Sequence, residues 1–247
     1  MKQRLAALLG LVLFLGAWEL APLLTPGAHA LLPVPSQLPG AFWREFQNGV
    51  WLACVGASLS HYLIGLGVGV AFGVAAGVAT GALPPLEWAT AWITRILRPI
   101  PGLAWIPFAI LWFGVEEKAA VFIIAIGVFW IVYFSAHGAI RNVDRDLVEV
   151  AAAFGFRTSW EKLVKVQFPA SLPGILVGVR TSLGQAWMAV VAAELFGVAG
   201  LGQRMNQASS LLATDIVVVY MLTMAALYGL IDMAFIFAQS RLLTWKA

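Results

Sequence analysis

Apolar residues run along this chain in long blocks separated by short polar stretches. A helix needs about 20 mostly apolar residues to cross a bilayer, because its backbone finds no water there and must bond to itself. Six such blocks are predicted, at 5–24, 56–82, 92–113, 119–138, 174–196 and 216–239. The second is the cleanest, with no Asp, Glu, Lys or Arg between Glu45 and Glu87. The third carries Pro99, Pro101 and Pro107, each of which removes a backbone donor. A turn at Pro99–Pro101 and a kink near Pro107 are expected there.

Composition agrees with this pattern. Of 247 residues, 61% are hydrophobic and 11% are charged, whereas a soluble domain carries about 25% charged residues. A water-soluble enzyme, a disulfide-stapled fold and a disordered chain are excluded, leaving an all-α integral membrane protein. The net charge of +3 is too small to suggest nucleic acid. A lone Cys54 and the scattered His29, His61 and His137 offer no metal-ligand spacing.

The basic residues set the orientation. With both termini inside, the inner segments hold Lys2, Arg4, Arg95, Arg98, Arg141, Arg145, Arg157, Lys162, Lys165, Arg180, Arg241 and Lys246. The outer segments hold only Arg44, Lys118 and Arg204. Two readings of the first block stay open. It is a span, or it is a signal peptide cleaved after Ala28-His29-Ala30. Residues 1–50 are taken as the first helix and an outer loop, and 51–247 as the core with spans two to six.

Gly65, Gly69, Gly73, Gly77 and Gly81 recur every fourth residue in the second block. They form a shallow ridge on one helix face, suited to close approach by another span. No strand precedes them, so a dinucleotide fingerprint is not read into the Gly-x-Gly triplets.

The longest polar stretch, 141–173, faces the cytoplasm in this topology and reads as two short helices. Leu147, Val150, Ala151 and Phe154 make an amphipathic stripe, with Asp144 as N-cap and Gly155 as the stop. Thr158 and Glu161 match a capping box, and Trp160, Leu163 and Val164 form a second stripe. Pro169 and Pro173 are expected to end the unit. Such a loop either folds under its own spans or docks a cytoplasmic partner.

The stretch Glu149-Val150-Ala151-Ala152-Ala153-Phe154-Gly155, followed by Phe168-Pro169 and Leu172-Pro173, resembles the EAA loop of ABC-importer permeases. Val150 stands where the pattern has its first alanine, and one extra residue separates Gly155 from Phe168-Pro169. Further runs resemble the nitrate, sulfonate and taurine importer permeases. These are Ile106-Pro107, Leu111-Trp112-Phe113-Gly114, His137 to Asp144, Ala193-Glu194 with Gly200-Leu201-Gly202, and Thr214 to Val219. The resemblance implies a type I ABC-importer fold in the bacterial inner membrane and a second permease copy, as a homodimer. It also implies two cytoplasmic ABC ATPase subunits and a periplasmic or lipid-anchored binding protein. By the same resemblance, Glu149, Ala151, Gly155, Phe156, Thr158, Trp160, Glu161 and Leu163 belong to the ATPase-coupling region, with a docking helix within 156–163. Independently, the chain has no Gly-x-x-x-x-Gly-Lys-Ser/Thr phosphate loop. ATP and Mg are therefore expected on a partner, and no cofactor or metal on this chain.

Ionisable residues inside spans usually line a cavity or pair with one another. Glu19, Glu194 and Asp232 are the candidates, with Glu194 expected at an interface and paired with Arg204. A carboxylate is a poor ligand for an anion. Ser182, Gln185 and Trp187 could donate to one, and with Glu194 they are the candidate translocation path; helix packing is the plainer reading of each. Trp43, Trp51, Trp88, Trp92 and Trp245 suit the headgroup layer, and Trp105, Trp112, Trp130 and Trp187 would matter for a cationic cargo. The leading expectation is a permease for a small anion, with a non-anionic solute such as a vitamin precursor as the alternative. A stand-alone ion-coupled carrier using Glu194 or Asp232 is a third reading. An intramembrane enzyme is disfavoured, because no nucleophile–base pair occurs.

Overall fold

The structure, a computed structural model, describes residues 2–24 and 32–243. The 28–30 cleavage reading, Trp245 and Lys246 lie outside the described residues. The elements are α1 (Lys2–Leu20), α2 (Leu38–Gln47), α3 (Val50–Ala82), α4 (Pro84–Leu97), α5 (Ile106–Phe113), α6 (Glu117–Arg141), α7 (Arg145–Ala153), α8 (Ser159–Lys162), α9 (Phe168–Leu195), α10 (Leu201–Ser210) and α11 (Thr214–Leu242). Among the described residues, four helices are long and apolar enough to cross a membrane. They are α3, α6, the continuous Ser159–Leu195 run, and α11.

The third expected span is a broken one. Pro84–Leu97 and Gly102–Phe113 meet at 84°, and the break falls at Pro99–Pro101 as the proline pattern predicts. No kink occurs at Pro107, which stands in the first turn of α5, where its missing N–H would have no partner anyway. The first block, 5–24, is helical. Its α-helix ends at Leu20, a 3-10 turn follows over Ala21–Leu24, and the apolar stretch is Leu8–Leu20. Pro22 disfavours α geometry at the residue before it. Among the described residues, four helices, or five counting the bent pair as one span, are long and apolar enough to cross, and the shorter apolar helix Leu8–Leu20 lies in the first of the six blocks.

The chain forms two compact units, and they do not divide it at residue 50: residues 1–58 and 199–227 form one, 59–198 and 228–247 the other. The first unit is held by polar contacts of high sequence separation. Trp18 Nε1 donates to the Pro33 carbonyl at 3.1 Å, and Glu19 accepts from the Ser36 N–H and hydroxyl. Leu38, Ala41 and Val219 form a small core with Trp18, Phe42 and Val218 around it. The Arg204 fork reaches both oxygens of Glu45, at 2.9 and 2.7 Å, and the Tyr220 hydroxyl donates to Glu45 at 2.9 Å. Hydrogen bonding to Arg204 holds the Glu45 carboxyl below its usual range, although burial pushes the other way. Ser58 Oγ accepts from the Leu201 N–H at 2.9 Å, securing the start of α10. This is why residues 199–227 join the N-terminal segment.

The second unit is built on α6. The five glycines of α3 meet Ile124, Val128, Val132, Ala136 and Ile140 in turn. A Cβ at Gly69 would stand 2.7 Å from both Val128 Cβ and the Ala125 carbonyl, and one at Gly77 would stand 2.8 Å from Ala136 Cβ. The ridge is a packing seam that admits no side chain. On another face, α6 packs against α9, with Ser135 against Gly178 and Ala139 against Gly174. The outward face of α3 carries exposed Leu63, Ile64, Val68 and Phe72.

Candidate functional site

The segment after α6 is built by local backbone chemistry. The Asp144 side chain accepts from the Asp146 N–H at 3.0 Å and caps α7. At the other end, Phe156 N–H bonds the Ala151 carbonyl and Gly155 N–H bonds the Ala152 carbonyl, both at 3.1 Å. That is a Schellman stop, which needs a left-handed residue at its turn. Gly155 supplies it, with φ +96°. Ala151 is buried beneath the stop. The alanine and glycine of the motif thus have separate reasons: one must be small, the other must be free of a Cβ.

Three residues later the chain restarts. Thr158 Oγ1 accepts from the Glu161 N–H at 3.2 Å, and Glu161 accepts from the Thr158 N–H at 3.2 Å. Both halves of the capping box are present. The helix that follows is not a second short one. A π turn over Leu163–Gln167 carries it into α9 and on to Leu195, so the expected docking helix is the first turn of a long span. Pro169 and Pro173 do not end it. Pro169 stands in the first turn of α9, directly after the π turn over Leu163–Gln167. Pro173 stays inside the helix, which membrane spans tolerate.

The turn between α7 and α8 exposes its apolar side chains. Phe154 is 81% and Trp160 71% accessible, while Leu147, Val150 and Val164 are also exposed. Lys165 lies over the Phe156 ring at 4.9 Å, which steadies the turn from inside. Glu149 and Gly155 are exposed; Phe156, Glu161 and Leu163 are half-buried. An apolar groove of about 680 Å³ runs between α3 and this segment, lined by Val74, Val78, Val148, Trp160, Leu163 and Phe168 among others.

A second cavity, of about 590 Å³, lies among α4 and α6. Arg95, Arg98, Thr94 and Tyr133 line it, and Glu87 ties it together. Glu87 pairs with Arg141 and lies 3.6 Å from His137 Nε2, while His137 Nδ1 is 3.1 Å from Thr80 Oγ1. His137 thus ties the C-terminal end of α6 to α3 and α4.

None of the four candidate path residues lines either of these two cavities. Ser182 is fully buried, and its hydroxyl donates to the Val179 carbonyl at 2.7 Å. Trp187 is buried edge-on against Tyr62, with centroids 5.4 Å apart. Gln185 is half-buried near Gly127. Glu194 is fully buried and stands 3.3 Å from His61 Nδ1. The expected Glu194–Arg204 pair is thereby corrected: Arg204 takes Glu45, a carboxylate too distant in sequence to suggest itself. Asp232 is paired with Arg180. The signal for that pair was present in the sequence, since Arg180 falls inside the 174–196 block, but the residue reads equally well as an inner flank.

The family model for the binding-protein-dependent transport system inner membrane component matches residues 69–244. A candidate aliphatic sulfonates transport permease of Escherichia coli (strain K12) is 36% identical over 230 residues, covering 93% of this chain and 87% of that protein. A riboflavin transport system permease of Chloroflexus aurantiacus is 36% identical over 216 residues, covering 87% of this chain and 80% of that one. Among solved structures, a chain of the inward-facing MetNI methionine ABC transporter superposes with a TM-score of 0.68 at 21% identity, covering 77% of this chain and 95% of that chain. That likeness shows the fold, that of a type I ABC-importer permease.

Proposed function

This chain belongs to the family of binding-protein-dependent transport system inner membrane components, and we propose that within it the chain moves a small organic anion, a sulfonate, toward the cytoplasm. As an ABC permease it is a multi-pass inner membrane protein and not itself an enzyme. Its termini face the cytoplasm, and it acts as a pair of copies between an extracytoplasmic receptor and two ABC ATPases. ATP and Mg are used by the ATPases, and this chain holds neither.

The observation that carries this reading is the turn between α7 and α8. A Schellman stop, a left-handed glycine and a capping box together hold Phe154 and Trp160 out into solvent. Exposed aromatics on a rigid support are what a protein partner grips. Residues Glu149, Ala151, Gly155, Phe156, Thr158, Trp160, Glu161 and Leu163 form that coupling surface, and closure of the ATPases on ATP is transmitted through it into α9. Because α8 and α9 are one helix, a push on the turn is delivered along the span. Ser182, Gln185, Trp187 and Glu194 form the wall behind the cargo route.

The sulfonate cargo is supported by the relative named for it. A second reading, a non-anionic vitamin precursor, is supported by the riboflavin relative. Membrane vesicles holding the permease with its own ATPase and receptor separate the two. ATP-driven uptake of labelled ethanesulfonate, absent with riboflavin, is the expected result. Uptake of riboflavin alone reverses the cargo assignment. Uptake that survives removal of the ATPase and collapses with the proton gradient overturns the importer reading.

A further inference from the structure

α9 and α11 meet at a polar cavity of about 400 Å³ lined by Val177, Arg180, Thr181, Tyr228, Asp232 and Gln239. Arg180 donates through Nε and Nη2 to the two oxygens of Asp232, at 3.1 and 3.2 Å. The Thr181 hydroxyl is turned to the Val177 carbonyl at 2.9 Å. At 1.5 Å per residue, Arg180 lies roughly 22 Å along α9 from Leu195, and Asp232 roughly 15 Å along α11 from Leu242. The pair therefore sits within two crossing helices rather than at their ends.

Yet the pair is not sealed. Its side chains keep 47% and 28% of their surface. Charged groups at such depth do not face lipid; they face a bundle interior or water. A guanidinium has five donors, and among the described residues the Nη1 edge of Arg180 makes no bond. The pair thus presents an open, planar donor edge, suited to an oxyanion, beside a cavity of about 400 Å³.

We propose that Arg180 is a transit subsite for the oxyanion of the cargo, and that Asp232 is its resident counter-ion. This rests on the organic-anion reading above. A bare arginine at this depth would hold an anion too tightly to release it. A carboxylate already bonded to the other edge weakens that hold, so that cargo both binds and leaves, as passage requires. No net charge is left behind when the site is empty.

The test is uptake of labelled ethanesulfonate by vesicles carrying the complete transporter and receptor, normalised to assembled complex. Replacing both partners, Arg180→Met with Asp232→Leu, removes the pair without stranding a charge, and a purely structural pair tolerates this. A fall in uptake of tenfold or more is expected; near-normal uptake overturns the proposal. Asp232→Asn is expected to lower KM and maximal rate together, because cargo then leaves slowly; a raised KM overturns it. A second measurement does not depend on transport. With Thr181→Cys in a Cys54→Ser background, a sulfonate-bearing thiosulfonate reagent should react several-fold faster than a cationic one, and Arg180→Gln should abolish that preference. Equal rates with Arg180 present, or no reaction with either reagent, overturn the subsite. If the unaltered transporter takes up no ethanesulfonate, the organic-anion reading fails and the subsite with it. Normal uptake by both unaltered and neutral-pair proteins sinks the subsite alone.

Discussion

The α3–α6 seam and the α7–α8 turn use glycine and aliphatic residues in opposite ways. In the seam, five glycines bring backbone against side chain so closely that Gly69 and Gly77 have no room for a methyl group. In the turn, Gly155 meets nothing within 4 Å, and its reason is conformational, with φ +96°. Val132 and Ala136 of the seam are fully buried, whereas Phe154 and Trp160 of the turn stand in solvent. One region finishes its packing within the chain. The other leaves its apolar side chains uncovered, on a backbone held by a Schellman stop and a capping box.

That contrast can be broken by substitution. The largest effect is expected at Gly69→Leu, which wedges a side chain against Val128 and the Ala125 carbonyl. Overpacking a filled interface costs about 1–3 kcal/mol, and more where backbone must move. The purified variant should lose most of its cooperative thermal transition in detergent. An unchanged melt would show that the seam is slack. Next comes the double change Phe154→Ala with Trp160→Ala. Capture of the ATPase should weaken at least tenfold in a binding titration, as truncated interface aromatics cost about 2 kcal/mol or more. The melt should shift little, since exposed substitutions stay within about 0.5 kcal/mol. A large loss of stability with normal capture would place these rings in the fold instead.

Gly155→Ala sits between the two regions in kind. Left-handed backbone costs a residue with a Cβ about 1 kcal/mol, so capture should weaken modestly while the rest of the protein melts as before. Equal losses at Gly155→Ala and Gly69→Leu would erase the distinction between the two uses of glycine. The smallest effect is a matter of pH and lies outside both regions. The folded Glu45 carboxyl is held below its ordinary range by Arg204. Its stabilising contribution is complete above the ordinary glutamate pKa and disappears as pH falls through the lowered folded value. Melts between pH 7 and pH 3 should therefore show an acid-sensitive component that Glu45→Gln removes and Gly155→Ala retains.

Much of this was legible residue by residue. The four-residue glycine spacing predicted a seam because small residues on one helix face have few other uses in lipid. Asp144, Gly155, Thr158 and Glu161 predicted their caps because capping acts within a single turn. Pro99–Pro101 predicted the break for the same local reason. The failures share a cause as well. Pro169 and Pro173 read as terminators, but a π turn and the packing of α9 on α6 carry the helix through. Glu194 was matched to Arg204, ten positions on, whereas the partner of Arg204 is Glu45.

What the sequence determined alone was therefore what is decided within about one helical turn or by bulk apolarity: the membrane, the helices and the caps. What tertiary structure decided was which polar group meets which. Arg204 with Glu45, His61 with Glu194, and Arg180 with Asp232 each join distant segments. A carboxyl group in an apolar setting takes whichever polar partner the packed helices deliver to it, because an unsatisfied polar group there is costly, and no local pattern records that delivery.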